Sequence, residues 1–134
     1  MTRLATLVLV VRDLERATAV YEQGLGFSRV EEASDVPSLG ARHVFLRAEN
    51  CVVELLEPHD HDKPPGMFLR ARGEGVFAME LRVEDPARAR RDLADVGVDV
   101  RGAMRGGDER WWIRPGDAHG VLVQVAGAEA AEPA

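Results

Sequence analysis

The chain has 134 residues, enough for one domain, and 46% of them are hydrophobic, which excludes a wholly disordered protein. Its 23 acids outnumber 17 bases for a net charge of −6, so it lacks the basic balance that non-specific nucleic-acid binding requires. A single cysteine excludes an intrachain disulfide and points to a reduced, cytoplasmic setting.

The first element is the apolar run Leu4–Val11, read as a buried strand. It is too short to span a bilayer, and Arg12 and Asp13 stand where a signal peptide would carry small residues. Asp13 caps a predicted helix with Leu14, Ala17, Val20 and Tyr21 on one face and Gly24 as its stop. Strand-like runs follow at Phe27–Val30, Arg42–Arg47 and Cys51–Glu57. The Pro- and Gly-punctuated stretch after them reads as a connector with a single helical turn. A second strand–helix pair then begins, with Val76–Val83 as its strand. Asp85 is the cap, Pro86 the first helical residue, Ala89, Leu93 and Val96 the stripe, and Gly97 the stop. Runs at Val98–Gly102, Glu109–Arg114 and Gly120–Ala126 complete it, and the Ala- and Glu-rich end reads as a frayed tail.

Both halves therefore read βαβββ, with Asp13 and Asp85 in register 72 positions apart. The expected fold is α+β: a single domain of two tandem modules forming a curved mixed sheet around a cleft. Module one covers 4–57, the connector 58–75, module two 76–126 and the tail 127–134. Strand alternation puts Leu7, Leu9 and Val11 toward the first helix, and Met79, Leu81 and Val83 toward the second. It leaves Thr6, Val8, Val10, Ala78, Glu80 and Arg82 for the cleft.

The stretches VVRDLERATAVYEQGLGF and HGVLVQV resemble the vicinal oxygen chelate superfamily, which includes glyoxalase I, bleomycin-resistance proteins, extradiol dioxygenases and methylmalonyl-CoA epimerase. The stretches VVELLEPHDHDKPPGMFLRARGEG and IRPGDAHGVLVQV most resemble the epimerase branch. The resemblance implies a glyoxalase-like fold, a homodimer, and a divalent metal on four strands held by His, Gln or Glu, His, and Glu. Those positions fall here on Thr6, Glu54, Ala78 and Gln124, so both imidazoles are missing. Zinc, nickel and cobalt favour several nitrogen or sulfur ligands, and the expectation is no metal and no other cofactor. A harder ion such as magnesium, on Glu54, Glu80 and waters, is the alternative.

Alternation places His43, Glu54, Glu80, Arg82, Arg110 and Gln124 on the cleft face, with Phe45, Trp112 and Leu122 as apolar walls. His43 falls where the resembling epimerases carry an acidic residue implicated in proton transfer, and Arg110 is its counterpart in the repeat. Each residue also has a plainer reading. Glu54 suits a solvated edge strand, Glu80 and Arg82 a solvated ion-paired face, His43 a structural histidine, and Arg110 with Trp112 a cation–aromatic contact. The His59–Asp62 run (HDHD) reads as a solvated turn, Cys51 as a small buried residue, and the RGEG stretch lacks the context of a phosphate loop. No Ser-His-Asp motif is apparent.

Two functions remain open. One is a metal-independent, epimerase-like isomerase or lyase acting on a small carbonyl compound or acyl thioester of a biosynthetic pathway. Its acid–base residues would be Glu54, Glu80 and His43, and its substrate contacts Arg82, Arg110, Trp112, Gln124, Phe45 and Thr6. The other is a metal-free binding or resistance protein that holds a small molecule among Trp111, Trp112 and Phe45. Two carboxylates favour the enzyme, because a sequestering pocket buries them only for a cationic ligand. Neither reading calls for nucleic acid or a membrane.

Overall fold

The computed structural model describes residues 1–102, 104–105 and 108–130. Packing divides the described residues into two compact units, Thr6–Phe77, and Met1–Ala5 together with the described residues between Ala78 and Ala130.

In the first unit, β1 (Arg3–Val10) leads through the Asp13 cap into α1 (Leu14–Thr18). The Asp13 carboxylate accepts from the Arg16 amide at 3.1 Å, as the capping signal predicts. Beyond Thr18 the helix widens to π-type bonding over Ala19–Gly24, where the Leu25 amide donates to the Val20 carbonyl. The expected stripe changes accordingly. Thr18 is buried and returns its hydroxyl to the Leu14 carbonyl at 2.7 Å, while Val20 is exposed.

The strands β4 (Ala41–Arg47) and β5 (Val52–Pro58) form an antiparallel hairpin, and β5 then runs parallel to β1. Two short pieces pair with the outer side of β4: β2 (Ser28–Arg29), shorter than the expected run, and β3 (Ser34–Val36), which the sequence did not announce. The helix face buries Val11, Leu14, Val44, Leu46, Val53 and Leu55, with Leu7, Leu9, Ala17, Tyr21 and Phe27 packed around them. Helix-side parity in β1 is thus as expected.

The connector holds more structure than a single turn. Pro64 and Pro65 open the nine-residue helix α2 (Pro64–Arg72), where a missing N–H costs nothing, and α2 packs on β5. The His59 and Asp60 amides donate to the Gly40 carbonyl at 2.8 and 3.0 Å. A Cβ at the buried Gly66 would overlap the Asp60 carbonyl, so the HDHD turn is packed against α2.

In the second unit β6 (Gly75–Val83) precedes α3 (Pro86–Asp95), capped by Asp85, which accepts from the Arg88 amide at 3.0 Å. The strands β7 (Val100–Arg101), β10 (Trp111–Ile113) and β11 (Leu122–Gly127) follow in the order β6-β11-β10-β7, with β11 parallel to β6. A separate hairpin joins β8 (Met104–Arg105) to β9 (Asp108–Glu109). Trp111, Ile113, Val123 and Val125 form the core, with Met79, Leu81, Ala89, Leu93 and Val98 around them. Val96 closes the helix and is exposed, so Val98 takes the place the sequence reading gave it. The Met1 ammonium bonds Glu84 and holds its carboxyl below the usual carboxylate range. Of the expected tail, 127–130 is a strand end and turn, and 131–134 lies outside the described residues. Among the described residues no helix is long and apolar enough to cross a membrane.

Candidate active site

The first unit contributes a histidine–carboxylate pair. In the β4–β5 register Phe45 stands opposite Glu54, and His43 lies two residues along β4 on the same face. On its other side Glu54 is flanked by Val8 of β1. A carboxylate between a phenyl ring and a valine loses most of its water and requires a partner. His43 supplies it: Nδ1 lies 2.6 Å from Glu54 Oε2, and the two side chains are only 19% and 15% exposed. The Phe45 ring meets the imidazole edge-on, centroids 4.8 Å apart, and fixes its plane. Glu54 is on an inner strand, which overturns the solvated-edge reading. Thr6 is buried on β1, opposite Val52, and Val8 and Val10 are buried beside it.

The second unit holds a different cluster. Glu80, Gln124 and Trp112 occupy one cross-strand row over β6, β11 and β10. Arg110 Nη1 donates to Glu80 Oε1 at 3.0 Å, and Arg82 Nε lies 3.6 Å from the same oxygen. Arg82 is sealed, its side chain 0% exposed, and its Nη1 donates to the carbonyls of Ala130 at 2.6 Å and Gly127 at 3.4 Å. The solvated-face reading of Glu80 and Arg82 is therefore wrong: this is a buried ion pair tied to the turn after β11. Glu80, Arg110, Trp112 and Gln124 line a pocket of about 250 Å³. Arg82 is absent from that lining, so its place is behind Glu80. Trp112 is exposed, whereas Trp111 is buried in the core and also borders this pocket. Gly102 is the residue the sequence did not single out. With φ of 107° it tolerates the backbone that lies under the Trp112 ring, where a Cβ would come within 2.9 Å of Cζ3.

The family's four metal positions carry, in this chain, a hydroxyl, a carboxylate, a methyl and an amide. Thr6 and Ala78 are buried, and Glu54 is engaged by His43. That donor set does not fit zinc, nickel or cobalt. Asp13, Glu15 and Glu57 bring three carboxylates within 4.8 Å, but their work is structural. Asp13 caps α1, Glu57 accepts from the Leu14 amide at 2.8 Å, and Arg42 bridges Glu15 and Glu57. In the HDHD turn, His59 pairs with Asp35 at 3.2 Å and Asp60 accepts from the Asp62 amide. Cys51 is only partly buried, at the turn before β5, where the sequence reading expected a buried side chain.

Residues 3–125 match the Glyoxalase/Bleomycin resistance protein/Dioxygenase superfamily model, and the chain belongs to that family, with its glyoxalase-like α+β fold. Several proteins similar to the chain are epimerases. The ethylmalonyl-CoA/methylmalonyl-CoA epimerase of Cereibacter sphaeroides is 31% identical over 92% of this chain and 96% of that protein. The mitochondrial methylmalonyl-CoA epimerase of Homo sapiens is also 31% identical, over 92% of this chain and 72% of that protein. Among solved structures, methylmalonyl-CoA epimerase from Mycobacterium tuberculosis superposes with a TM-score of 0.78 at 27% identity, covering 96% of this chain and 89% of that one. A methylmalonyl-CoA epimerase in complex with methylmalonyl-CoA and NH4+ gives 0.77 at 27% identity, with 99% of both chains covered.

Proposed function

We propose that this protein is an epimerase-like isomerase that moves a proton next to the carbonyl of a small carbonyl compound or acyl thioester, without a metal. The observation that carries the reading is the 2.6 Å His43–Glu54 pair, largely withdrawn from water on inner strands. In the working form the Glu54 carboxylate accepts from Nδ1–H, which leaves Nε2 with its lone pair as the proton acceptor. Nε2 takes the proton from the carbon beside the carbonyl, and Glu54 offsets the charge the imidazole gains. Return of the proton from the imidazolium, or from solvent at the other face, completes exchange or inversion. In this reading His43, at the position where the resembling epimerases carry an acidic residue, serves as the base.

Phe45 and Thr6 are substrate contacts on the same face, and Arg110, Trp112 and Gln124 are ligand contacts in the second unit. Glu80 serves to anchor the arginines and is not the base. The relatives' acyl-CoA substrates support a thioester substrate, the family resemblance supports a homodimer, and the lone cysteine supports a cytoplasmic setting; a biosynthetic role is part of the proposal.

The test is incubation with methylmalonyl-CoA and ethylmalonyl-CoA in D₂O containing EDTA, with deuterium at the carbon between the two carbonyls read by mass spectrometry. Exchange that vanishes in His43→Gln supports the reading; exchange that needs added metal, or survives that change, overturns it. The exposed Trp112 beside a formed pocket favours a second reading, a small-molecule binding or resistance protein. Tight ligand binding with no exchange would select it.

A further inference from the structure

We infer that Arg47, with Ser28 beside it, sets substrate specificity by holding the phosphate at the end of the pantetheine arm of a coenzyme A thioester. The inference rests on the thioester reading of the first unit and adds two residues which that reading does not use.

Three arginines lie on β2–β5, and two of them are already engaged. Arg29 donates to Glu22 at 3.0 and 3.1 Å and to Glu32 at 3.0 Å, and Arg42 bridges Glu15 and Glu57. Both alternate toward the helix side, Arg29 opposite Leu46 and Arg42 two residues from Val44. Arg47 has the other parity. It shares the face of His43 and Phe45 and is exposed. No hydrogen bond or ion pair ties its side chain to another described residue. A guanidinium is a planar fork with five N–H donors, a geometry matched to two oxygens of a phosphate. Ser28 of β2 stands directly opposite Arg47 in the register and is also exposed, so its hydroxyl is a further donor on the same face. On the inner side the row continues through the buried Val52 and Thr6.

Position decides which part of the substrate is held. His43 and Arg47 are four residues apart on β4, about 13 Å along the strand. Exposure rises over that length, from the half-buried His43 and Phe45 to the open Arg47. A substrate whose reacting carbon meets His43 therefore leaves the dry part of the face past Phe45 and reaches water beside Arg47. A carboxylate on the reacting carbon stays at the His43 end, close to the proton that moves. Arg47 meets a remote anion instead. In a coenzyme A thioester the remote anion is the phosphate that ends the pantetheine arm.

The experiment is calorimetric titration of the full chain with coenzyme A and 4′-phosphopantetheine, against pantetheine as the same arm without a phosphate. Phosphopantetheine and coenzyme A are expected to bind about tenfold or more tightly than pantetheine. Arg47→Met should lower the affinity of both phosphorylated probes by about tenfold or more and leave pantetheine within about twofold, which removes the preference. Arg47→Lys, which keeps the charge and loses the fork, should fall in between. Ser28→Ala should weaken the phosphorylated probes by about two- to tenfold. Arg91→Met, which removes an exposed arginine on α3, should change affinity less than about twofold. In the deuterium assay Arg47→Met should raise KM for methylmalonyl-CoA about tenfold or more and change kcat less than about threefold, because a remote anchor holds ground state and transition state alike. Equal binding of phosphopantetheine and pantetheine, an unchanged preference in Arg47→Met, or no saturable binding would each overturn the site. The titration needs no turnover. Its failure leaves proton transfer by His43 standing, and a phosphate preference lost in Arg47→Met stands even where deuterium exchange fails.

Discussion

Replacing Glu54 by Gln tests the histidine–carboxylate pair most directly, because the side chain keeps its shape and loses its charge. In the native pair the 2.6 Å contact joins a carboxylate to an imidazole, both more than four-fifths buried. A hydrogen bond to a charged group contributes about 1.5–3 kcal/mol net. If that interaction is gained in full as the imidazole becomes charged, its loss slows the step about 10- to 150-fold. The amide adds a second effect. Its NH₂ can donate to Nδ1, which favours the tautomer carrying hydrogen on Nε2 and removes the base outright. About tenfold is therefore a floor. The assay is deuterium uptake into an acyl-CoA thioester, with kcat and KM separated and melting temperature recorded on the same samples. The expected result is a fall in kcat with little change in KM, since Glu54 acts on charge that develops only in the reaction. A Glu54→Gln protein that melts normally and exchanges within about twofold of the wild-type rate would refute the mechanism.

Arg82→Met strips a buried carboxylate of one partner and two carbonyls of their donor, and should cost about 3–5 kcal/mol, read as a lower urea midpoint. The double change Arg82→Met with Glu80→Met should recover much of that loss, since paired apolar replacements of buried ion pairs are often neutral; simple additivity would contradict the pairing. Gly66→Ala should lower stability by about 1–3 kcal/mol, because the Asp60 carbonyl lies where the methyl must go; an unchanged melting temperature would mean the HDHD turn is not packed on α2. Protein purified without added metal should carry less than stoichiometric zinc, nickel or cobalt, and EDTA should leave its Tm unchanged; a chelator-dependent Tm would refute the reading of Thr6 and Ala78. Glu84 has a lowered folded value, so its bond to the Met1 ammonium stabilises above the unfolded carboxylate range and is lost as pH falls through the folded value. The pair is exposed, so the acid-limb difference between wild type and Glu84→Gln should be small and should vanish in high salt.

Local signals carried the parts of this fold that local physics decides. The Asp13 and Asp85 caps bond the amides their position predicts, and alternation put Leu7, Leu9, Met79 and Leu81 on the helix sides. Ser34–Val36 escaped notice because Ser and Asp are poor strand formers and a single Val makes no alternating run; only the neighbouring β4 makes them extended. The π-type widening escaped for a similar reason, since Ala19–Gly24 has ordinary helix composition. At the site, alternation placed His43, Phe45 and Glu54 on one face, but the contact between two of them depends on the β4–β5 register. Arg82 was misread because alternation reports a face and not what covers it. Its cover is a turn more than forty residues away, at Gly127–Ala130.

The parallel union of first and last strands governs how each module closes. Neither half can zip up from its first strand, because β1 waits for β5 and β6 waits for β11. Thr6 meets Val52 after 46 residues, and Ala78 meets Leu122 after 44. By loop-closure entropy those spans differ by about 0.04 kcal/mol, so topology gives neither copy precedence. Local nuclei must then set the order. In the first half, β4 and β5 pair through seven positions across the short turn Ala48–Cys51; in the second, β10 and β11 share three. Two copies of one motif, with nearly equal closing spans, are thereby expected to form at different times, with the hairpin that carries His43 and Glu54 assembling ahead of its counterpart.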